Sequence, residues 1–180
     1  MESALTFHIT DKEFEAIARL AEKHHLVVFA DEIYDQMTYD GAEFVPMATL
    51  VHHTRCCTMS GVSKVYRACG DRVGWAVFSG DLENAREYLS ALELLSSLRL
   101  CSNVAGQWAV QTALGGYQSI KELIRPGGRL YESRKSIVDA VARSKYLTLT
   151  VPRGALYAFV GVDTQRLPGF DDRRFAMDLL

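Results

Sequence analysis

The stretch TMSGVSKVYRACGDRVGW, residues 58–75, carries one lysine among small residues and an arginine eight positions later. Lys64 follows Gly61 and Ser63, and the arginine is Arg72. A lysine forms a Schiff base with a carbonyl when its amine is neutral, which burial or neighbouring cations favour. Small neighbours let a planar ligand approach the backbone, and an arginine grips a phosphate with a fork of donors. The spacing indicates a phosphate-bearing carbonyl ligand, although each residue alone is explained by a solvated lysine and a structural arginine.

An acidic segment forms the second candidate for ligand binding. ADEIYD, residues 30–35, ends the apolar run LVVFAD, residues 26–31, which has the length and composition of a strand buried on both faces. Ligands of open α/β sheets bind where such strands end. Asp31 would be partly desolvated there and would favour a cationic partner, and Tyr34 lies one short turn further on. Taken alone, an acidic loop facing water explains this segment more simply.

The flanking patterns predict an α/β fold. TDKE, residues 10–13, is a capping box before an amphipathic helix. The apolar run at 26–31 follows, and RCCTMS, residues 55–60, and RVGWAVFSG, residues 72–80, indicate two further strands. A helix leading into a buried strand is half of a βαβ unit, so we expect a mostly parallel sheet with helices on both faces.

The second half of the chain predicts more helices and then a change of character. We expect a capping box at Ser119 and Glu122, a helical interruption at residues 126–128, and a small α+β unit that begins near residue 119. The predicted domains are therefore residues 1–118 and 119–180. The remaining expectations are helices over 81–98, 103–114 and 129–142, β-rich stretches over 146–151 and 154–162, and a helix capped by Asp171 or Asp172.

Composition excludes several classes of function. Hydrophobic residues make up 48% of the chain and the net charge is −2, so nothing favours disorder, nucleic acid or an anionic membrane as partner. No apolar run is long enough for a membrane span. The four cysteines form no C-x-x-C pair and the paired histidines do not converge, so we expect neither a metal site nor disulfides. Free thiols fit a reducing compartment, which predicts a cytoplasmic protein.

The two candidate segments together satisfy one cofactor. Pyridoxal 5′-phosphate needs a lysine for its aldehyde, an anion for its pyridinium nitrogen and donors for its phosphate, and Lys64, Asp31 and Arg72 would supply one each. At these residues the chain resembles the class I aminotransferases of fold type I. Three further stretches resemble bacterial alanine (glutamate–pyruvate) aminotransferases: LELLSSLRLCSNVAGQWAVQTALGGYQSI (92–120), PGGRLYESR (126–134) and VPRGALYAF (151–159).

The resemblance implies a role for each site residue. Lys64 would bind the cofactor and move the proton between the substrate α-carbon and the cofactor. Asp31 would keep the pyridine nitrogen protonated and Tyr34 would hydrogen-bond the phenolic oxygen. Arg72 and Ser63 would bind the phosphate. Ser60 is a further phosphate candidate, whereas Gly61 stands where many relatives have a serine, and Ser102 and Asn103 match a region near the family's dimer interface.

The resemblance also implies the reaction and its limits. We expect transamination between an amino acid, alanine, and a 2-oxo acid, pyruvate or 2-oxoglutarate, by a homodimer in the full-length form. Complete relatives are longer, so we expect a fragment that lacks the phosphate loop, the ring-stacking aromatic and the substrate-carboxylate arginine, and that is weakly active or inactive alone. A non-catalytic module of this fold, or another enzyme of the fold such as a C–S lyase or decarboxylase, are the alternatives.

Overall fold

The computed structural model describes residues 11–100 and 103–180. Helix α1, Asp11–Lys23, confirms the first predicted helix; Thr10 of the predicted capping box lies outside the described residues. The helix buries Ala18 and Ala21. Near its end, the Glu22 carboxylate accepts hydrogen bonds from the backbone N–H groups of residues 52 and 53, at 2.8 and 2.9 Å, and so joins α1 to the loop before the second strand.

Three strands form the larger sheet, in the order β1-β2-β3. They are β1 (Val28–Asp31), β2 (Arg55–Gly61) and β3 (Gly74–Gly80), which confirms the three predicted strands. β1 and β2 are parallel, whereas β2 and β3 are antiparallel. The carboxyl ends of β1 and β2 and the amino end of β3 therefore meet at one edge. We call residues 31–34, 60–64 and 72–74 the carboxyl edge.

Burial of β1 on both faces was the wrong expectation. Val28 and Ala30 pack on a cluster that includes Ala18 and Cys56. Phe29 points to the opposite face and its side chain is 55% exposed. The physical reason is that alternate residues of a strand point to opposite faces, and only one face of β1 has a packed cluster against it.

Two helices follow the sheet. A 3-10 turn, Glu83–Ala85, precedes α2 (Arg86–Ser97), so the helix predicted from residue 81 begins later. Asp81 accepts a hydrogen bond from the Asn84 side chain at 3.0 Å and closes that turn. Helix α3, Val104–Gly115, confirms the next prediction. Both helices expose large apolar side chains, which include Leu94, Leu95, Val104 and Trp108.

The capping box predicted at Ser119 and Glu122 is wrong. The short helix α4, Ile120–Ile124, does begin after Ser119, but no side-chain cap bond forms. The Ser119 hydroxyl instead accepts a hydrogen bond from Arg67 at 2.6 Å. The Glu122 carboxylate accepts one from the Tyr117 hydroxyl at 2.6 Å. The Ser119 and Glu122 side chains therefore bind Arg67 and Tyr117, and not the backbone N–H groups that a capping box would use.

The last part of the chain holds a second sheet. Helix α5, Arg129–Ala142, confirms its predicted bounds, and β4 (Leu147–Leu149) pairs antiparallel with β5 (Val160–Val162). Helix α6, Asp172–Asp178, is capped by Asp171, which accepts from the backbone N–H of residue 174 at 2.7 Å. The separate sheet agrees with a second unit, and the boundary at residue 119 stays a prediction.

One core cluster joins the two parts of the chain. Tyr34, Met37, Val65 and Ile120 are buried together. Leu123, Ile124, Leu130 and Ala155 pack against them. Residues after 119 therefore lie directly against the carboxyl edge. No helix in the described ranges has the length and apolarity to cross a membrane.

Candidate functional site

The carboxyl edge brings the predicted segments together. Asp31 of β1 lies opposite Met59 of β2, and the backbone N–H of Glu32 donates to the Met59 carbonyl at 2.8 Å. Ser60 follows Met59 and lies opposite Trp75 of β3. Parallel pairing on one side of β2 and antiparallel pairing on the other thus collect the acidic segment, the lysine loop and the arginine at one edge, as the sequence predicts.

Lys64 lies in the loop between β2 and β3. The loop is closed by backbone hydrogen bonds: the N–H of Val62 donates to the Val73 carbonyl at 3.1 Å, and the N–H of Ala68 donates to the Val62 carbonyl at 3.0 Å. Buried Val62 and Val65 fix the loop on either side of the lysine. Lys64 itself is exposed. Of the two settings that the sequence left open for this lysine, burial or neighbouring cations, the structure therefore does not show burial.

Arg72 and Ser63 are neighbours in space. Arg72 has a left-handed backbone, with φ of 51°, a conformation that costs free energy for a non-glycine residue. Its Nη1 donates to the Cys69 carbonyl at 2.8 Å and lies 3.5 Å from the Ser63 hydroxyl oxygen. The bond to Cys69 holds the guanidinium in place beside the hydroxyl. A guanidinium beside a hydroxyl is a combination of donors that can bind phosphate oxygens.

Asp31 differs from its expected environment. The residue is exposed rather than partly desolvated. One carboxylate oxygen accepts from the backbone N–H of Ile33 at 3.3 Å. This hydrogen bond lies within the turn that connects β1 to Tyr34, and it orients the Asp31 carboxylate at the end of the strand. Asp31 therefore occupies the predicted place without the predicted burial.

The structure explains why position 61 is a glycine, which the sequence pattern did not indicate. A Cβ at this position would lie 2.8 Å from the Val73 carbonyl oxygen and 3.0 Å from the Cα of Gly74. Gly61 is therefore needed for the close approach of β2 and β3, and its role in making room for a ligand stays a prediction. Ser60 and Ser63 are both partly buried beside it.

Tyr34 has a partner that the sequence did not indicate. Its hydroxyl lies 2.8 Å from that of Tyr157. Burial, followed by the hydrogen bond to Tyr157, raises the pKa of the Tyr34 phenol above its ordinary value. Tyr157 belongs to the stretch 151–159, which resembles the alanine aminotransferases. No local sequence pattern predicts its contact with Tyr34, because the two residues are 123 positions apart.

Two expectations remain: the match of Ser102 and Asn103 to a region near the family's dimer interface, and the absence of a metal site. Ser102 lies outside the described residues. Asn103 caps α3 by accepting from the backbone N–H of Gly106 at 3.0 Å, and its amide donates to the Asp71 carbonyl at 2.7 Å. Asn103 thereby ties α3 to the residue before Arg72. Across residues 11–100 and 103–180, no group of three or more His, Cys, Asp or Glu side chains is placed to hold a metal ion.

Comparison with known proteins places this arrangement in context. The profile of the family "Aminotransferase class I and II" matches residues 7–180. The chain is 46% identical over 164 residues to the glutamate-pyruvate aminotransferase AlaA of Escherichia coli K12, with 91% of this chain and 40% of that protein covered. It is 42% identical over 161 residues to an alanine aminotransferase of Mycobacterium bovis, with 89% and 38% covered.

A solved structure shows the same fold. An aminotransferase from Escherichia coli superposes with a TM-score of 0.89 at 44% sequence identity, over 95% of this chain and 42% of that one. The expected fold class, part of a fold-type I large domain with the beginning of the small domain, is confirmed by this likeness. The chain spans about 40% of the length of the curated relatives it matches.

Proposed function

This chain belongs to the aminotransferase class I and II family, and we propose that it serves transamination between alanine and a 2-oxo acid. Pyridoxal 5′-phosphate is the cofactor of this family. The observation that carries the proposal is the single edge at which Asp31, Lys64 and Arg72 converge, through the pairing of β1 with β2 and of β2 with β3. The spacing of these residues resembles that of the family motif.

The residues present fit the cofactor by their donor set. Arg72 and Ser63, 3.5 Å apart, would donate to phosphate oxygens, with Ser60 as a further donor. Lys64 would bind the aldehyde carbon, and Asp31 would hold a proton on the ring nitrogen. When bound, the cofactor supplies an electron sink for the substrate α-carbon.

Each residue then has a defined task. The Lys64 amine would accept the proton from the substrate α-carbon and deliver it to the cofactor, since a lysine amine can act as a general base and then as an acid. The Asp31 carboxylate would favour the cationic form of the ring nitrogen. Tyr34 would donate to the phenolic oxygen. The left-handed turn at Arg72 aims its guanidinium beside Ser63.

The relatives support the substrate class. Their names give glutamate, pyruvate and alanine, so we propose alanine as the amino acid and pyruvate or 2-oxoglutarate as the 2-oxo acid. We further propose a homodimer in the full-length form, a cytoplasmic location, and no nucleic-acid or membrane partner. The division into residues 1–118 and 119–180 is part of the same proposal.

Cofactor trapping tests the site. The chain is incubated with pyridoxal 5′-phosphate, reduced with borohydride and mapped by peptide mass spectrometry, as wild type, Lys64→Ala and Lys135→Ala. Lys135 is an exposed lysine of α5 and serves as the matched control. We expect a visible absorbance band and cofactor mass on the Lys64 peptide in wild type and Lys135→Ala, and neither in Lys64→Ala. Label spread over surface lysines would contradict the proposed site and favour a non-catalytic module.

Activity is measured separately. A coupled assay of alanine and 2-oxoglutarate addresses the expectation that this chain is weakly active or inactive alone. Robust transfer by the 180-residue chain would contradict that expectation and support the reaction directly. Release of ammonia and a thiol from a cysteine conjugate would instead indicate a C–S lyase.

A further inference from the structure

A pair of tyrosines links the second part of the chain to the carboxyl edge. The Tyr34 and Tyr157 hydroxyls are 2.8 Å apart. Their rings meet edge to face, with centroids 5.7 Å apart and planes at 88°. Tyr34 is only 9% exposed, whereas Tyr157 is 46% exposed. The hydroxyl contact therefore lies at the rim of the packed cluster around Tyr34.

The segment before Tyr157 is fixed to the segment after Tyr34. The backbone N–H of Ala155 donates to the Met37 carbonyl at 2.8 Å, and that of Tyr39 donates to the Arg153 carbonyl at 2.8 Å. The Tyr39 hydroxyl donates to the Ala155 carbonyl at 3.0 Å. We call residues 152–157 the strap. These bonds fix the backbone up to two residues before Tyr157.

Arg134 of α5 also binds the strap. Its Nε donates to the Pro152 carbonyl at 2.6 Å, and its guanidinium forms an ion pair with Asp40. The same guanidinium lies 5.0 Å from the centre of the Tyr39 ring, in a cation–π arrangement. The strap is thus bound to both α5 and the loop that follows the carboxyl edge.

The hydroxyl pair restricts where the two protons point. Each phenol has one proton to donate, so in a bond between two hydroxyls one donates and the other accepts. If Tyr157 donates to the Tyr34 oxygen, the Tyr34 proton remains for an acceptor at the carboxyl edge. Asp31 is the charged group that acts on Tyr34, and its negative charge also favours keeping that proton on the phenol.

We propose that Tyr157 is a positioning residue whose contact with the Tyr34 hydroxyl holds that hydroxyl at the carboxyl edge, where it would donate to the cofactor's phenolic oxygen. The inference rests on the proposed function for the identity of that acceptor. The contact between Tyr157 and Tyr34 does not depend on it. Through the strap, the second part of the chain takes part in orienting a residue of the first.

A cofactor-free experiment tests the contact. The chain is labelled with ¹³C at tyrosine Cζ, and the Tyr34 signal, assigned with Tyr34→Phe, is titrated with pH in wild type, Tyr157→Phe and Tyr146→Phe. Tyr146 is similarly exposed and lies outside the strap. We expect Tyr34 to ionise at lower pH in Tyr157→Phe only, because its hydrogen bond to Tyr157 raises its pKa. An unchanged Tyr34 titration in Tyr157→Phe would overturn the proposal.

A shape-preserving variant separates this role from a structural one. The more acidic 3,5-difluorotyrosine, incorporated at position 157, keeps the ring in place but loses its proton at lower pH. We expect the Tyr34 signal to shift in step with that ionisation, because Tyr34 must then donate to position 157. A Tyr34 signal that ignores the ionisation would also overturn the proposal.

The loaded chain provides the second readout. With cofactor bound, the pH at which its absorbance band changes is measured in wild type, Tyr34→Phe and Tyr157→Phe. Loss of a donor to the phenolic oxygen disfavours the anionic form of that oxygen, so we expect both variants to raise this pH, Tyr157→Phe less than Tyr34→Phe. A shift in Tyr34→Phe alone would overturn the positioning role. If wild type shows no band, the proposed function fails and the tyrosine titrations alone decide on Tyr157.

Discussion

Gly61 and Gly74 face each other across β2 and β3 with no space for a side chain at either position. A Cβ at Gly61 would lie 3.0 Å from the Cα of Gly74, and one at Gly74 would lie 2.7 Å from the Ser60 carbonyl oxygen. This close approach sets the distance between the strand that leads to Lys64 and the one that follows Arg72. The geometry of the lysine loop therefore depends on two glycines that lie close to backbone atoms of the neighbouring strand.

Replacing Gly61 by alanine is expected to destabilise the chain. The added methyl group would overlap the Val73 carbonyl oxygen, at 2.8 Å, and backbone cannot move as a flexible side chain does. We expect a loss of about 1–3 kcal/mol in the free energy of unfolding, the usual cost of overpacking. Urea denaturation of wild type and Gly61→Ala measures it.

Gly70→Ala is the matched control for this prediction. A Cβ at Gly70 meets nothing within 4 Å, and the residue lies in the same loop. We expect its stability to stay within about 0.5 kcal/mol of wild type. Equal losses in the two variants would show that the close approach of β2 and β3 is not the cause.

The Glu22 carboxylate makes folding stability depend on pH. Hydrogen bonds from the backbone N–H groups of His53 and His52 lower its pKa from the ordinary value of 4.5. A carboxyl group whose pKa is lower in the folded chain stabilises it above the unfolded pKa and loses that effect as pH falls through the folded value. We expect Glu22→Gln to be less stable than wild type near neutral pH, with the difference shrinking in acid. Urea denaturation over a pH series measures this.

Glu15→Gln provides the comparison for Glu22. Glu15 pairs with Arg19 one helical turn away at 3.3 Å, and both side chains are exposed. Such pairs contribute little to stability, so we expect its unfolding curves to follow wild type across the same pH series. A constant gap between Glu22→Gln and wild type at every pH would show that the charge of Glu22 is not what stabilises the loop at residues 52–53.

Local sequence patterns predict the helices and strands better than they predict the tertiary contacts between them. The bounds of α5 follow from its apolar periodicity and the Pro-Gly-Gly before it, because those signals act within the helix itself. The capping box at Ser119 failed because Arg67, a residue from the lysine loop, takes the hydroxyl. β1 shows the same limit: its apolar run predicts a strand, whereas the exposure of Phe29 depends on what packs against that face of the sheet.

In the candidate site, too, some features could be predicted from the sequence and others could not. Lys64, Asp31 and Arg72 could be placed at one edge from sequence, because ligands of open sheets bind where strands end. Tyr157 could not be, because its contact with Tyr34 joins residues 123 positions apart. The exposure of Asp31 was also unpredictable, since it depends on what packs beside the end of β1.

Arg72→Lys is expected to weaken cofactor binding although it keeps the charge. Lysine cannot reproduce the planar fork that donates to Cys69 and lies beside Ser63. A charge-assisted hydrogen bond contributes about 1.5–3 kcal/mol, so we expect roughly 10- to 100-fold weaker binding of pyridoxal 5′-phosphate by absorbance titration. Arg67→Lys is the matched control, since Arg67 lies in the same loop but donates to Ser119, and we expect binding near that of wild type. Equal weakening in the two variants would mean that loop stability, rather than a phosphate contact at Arg72, controls binding.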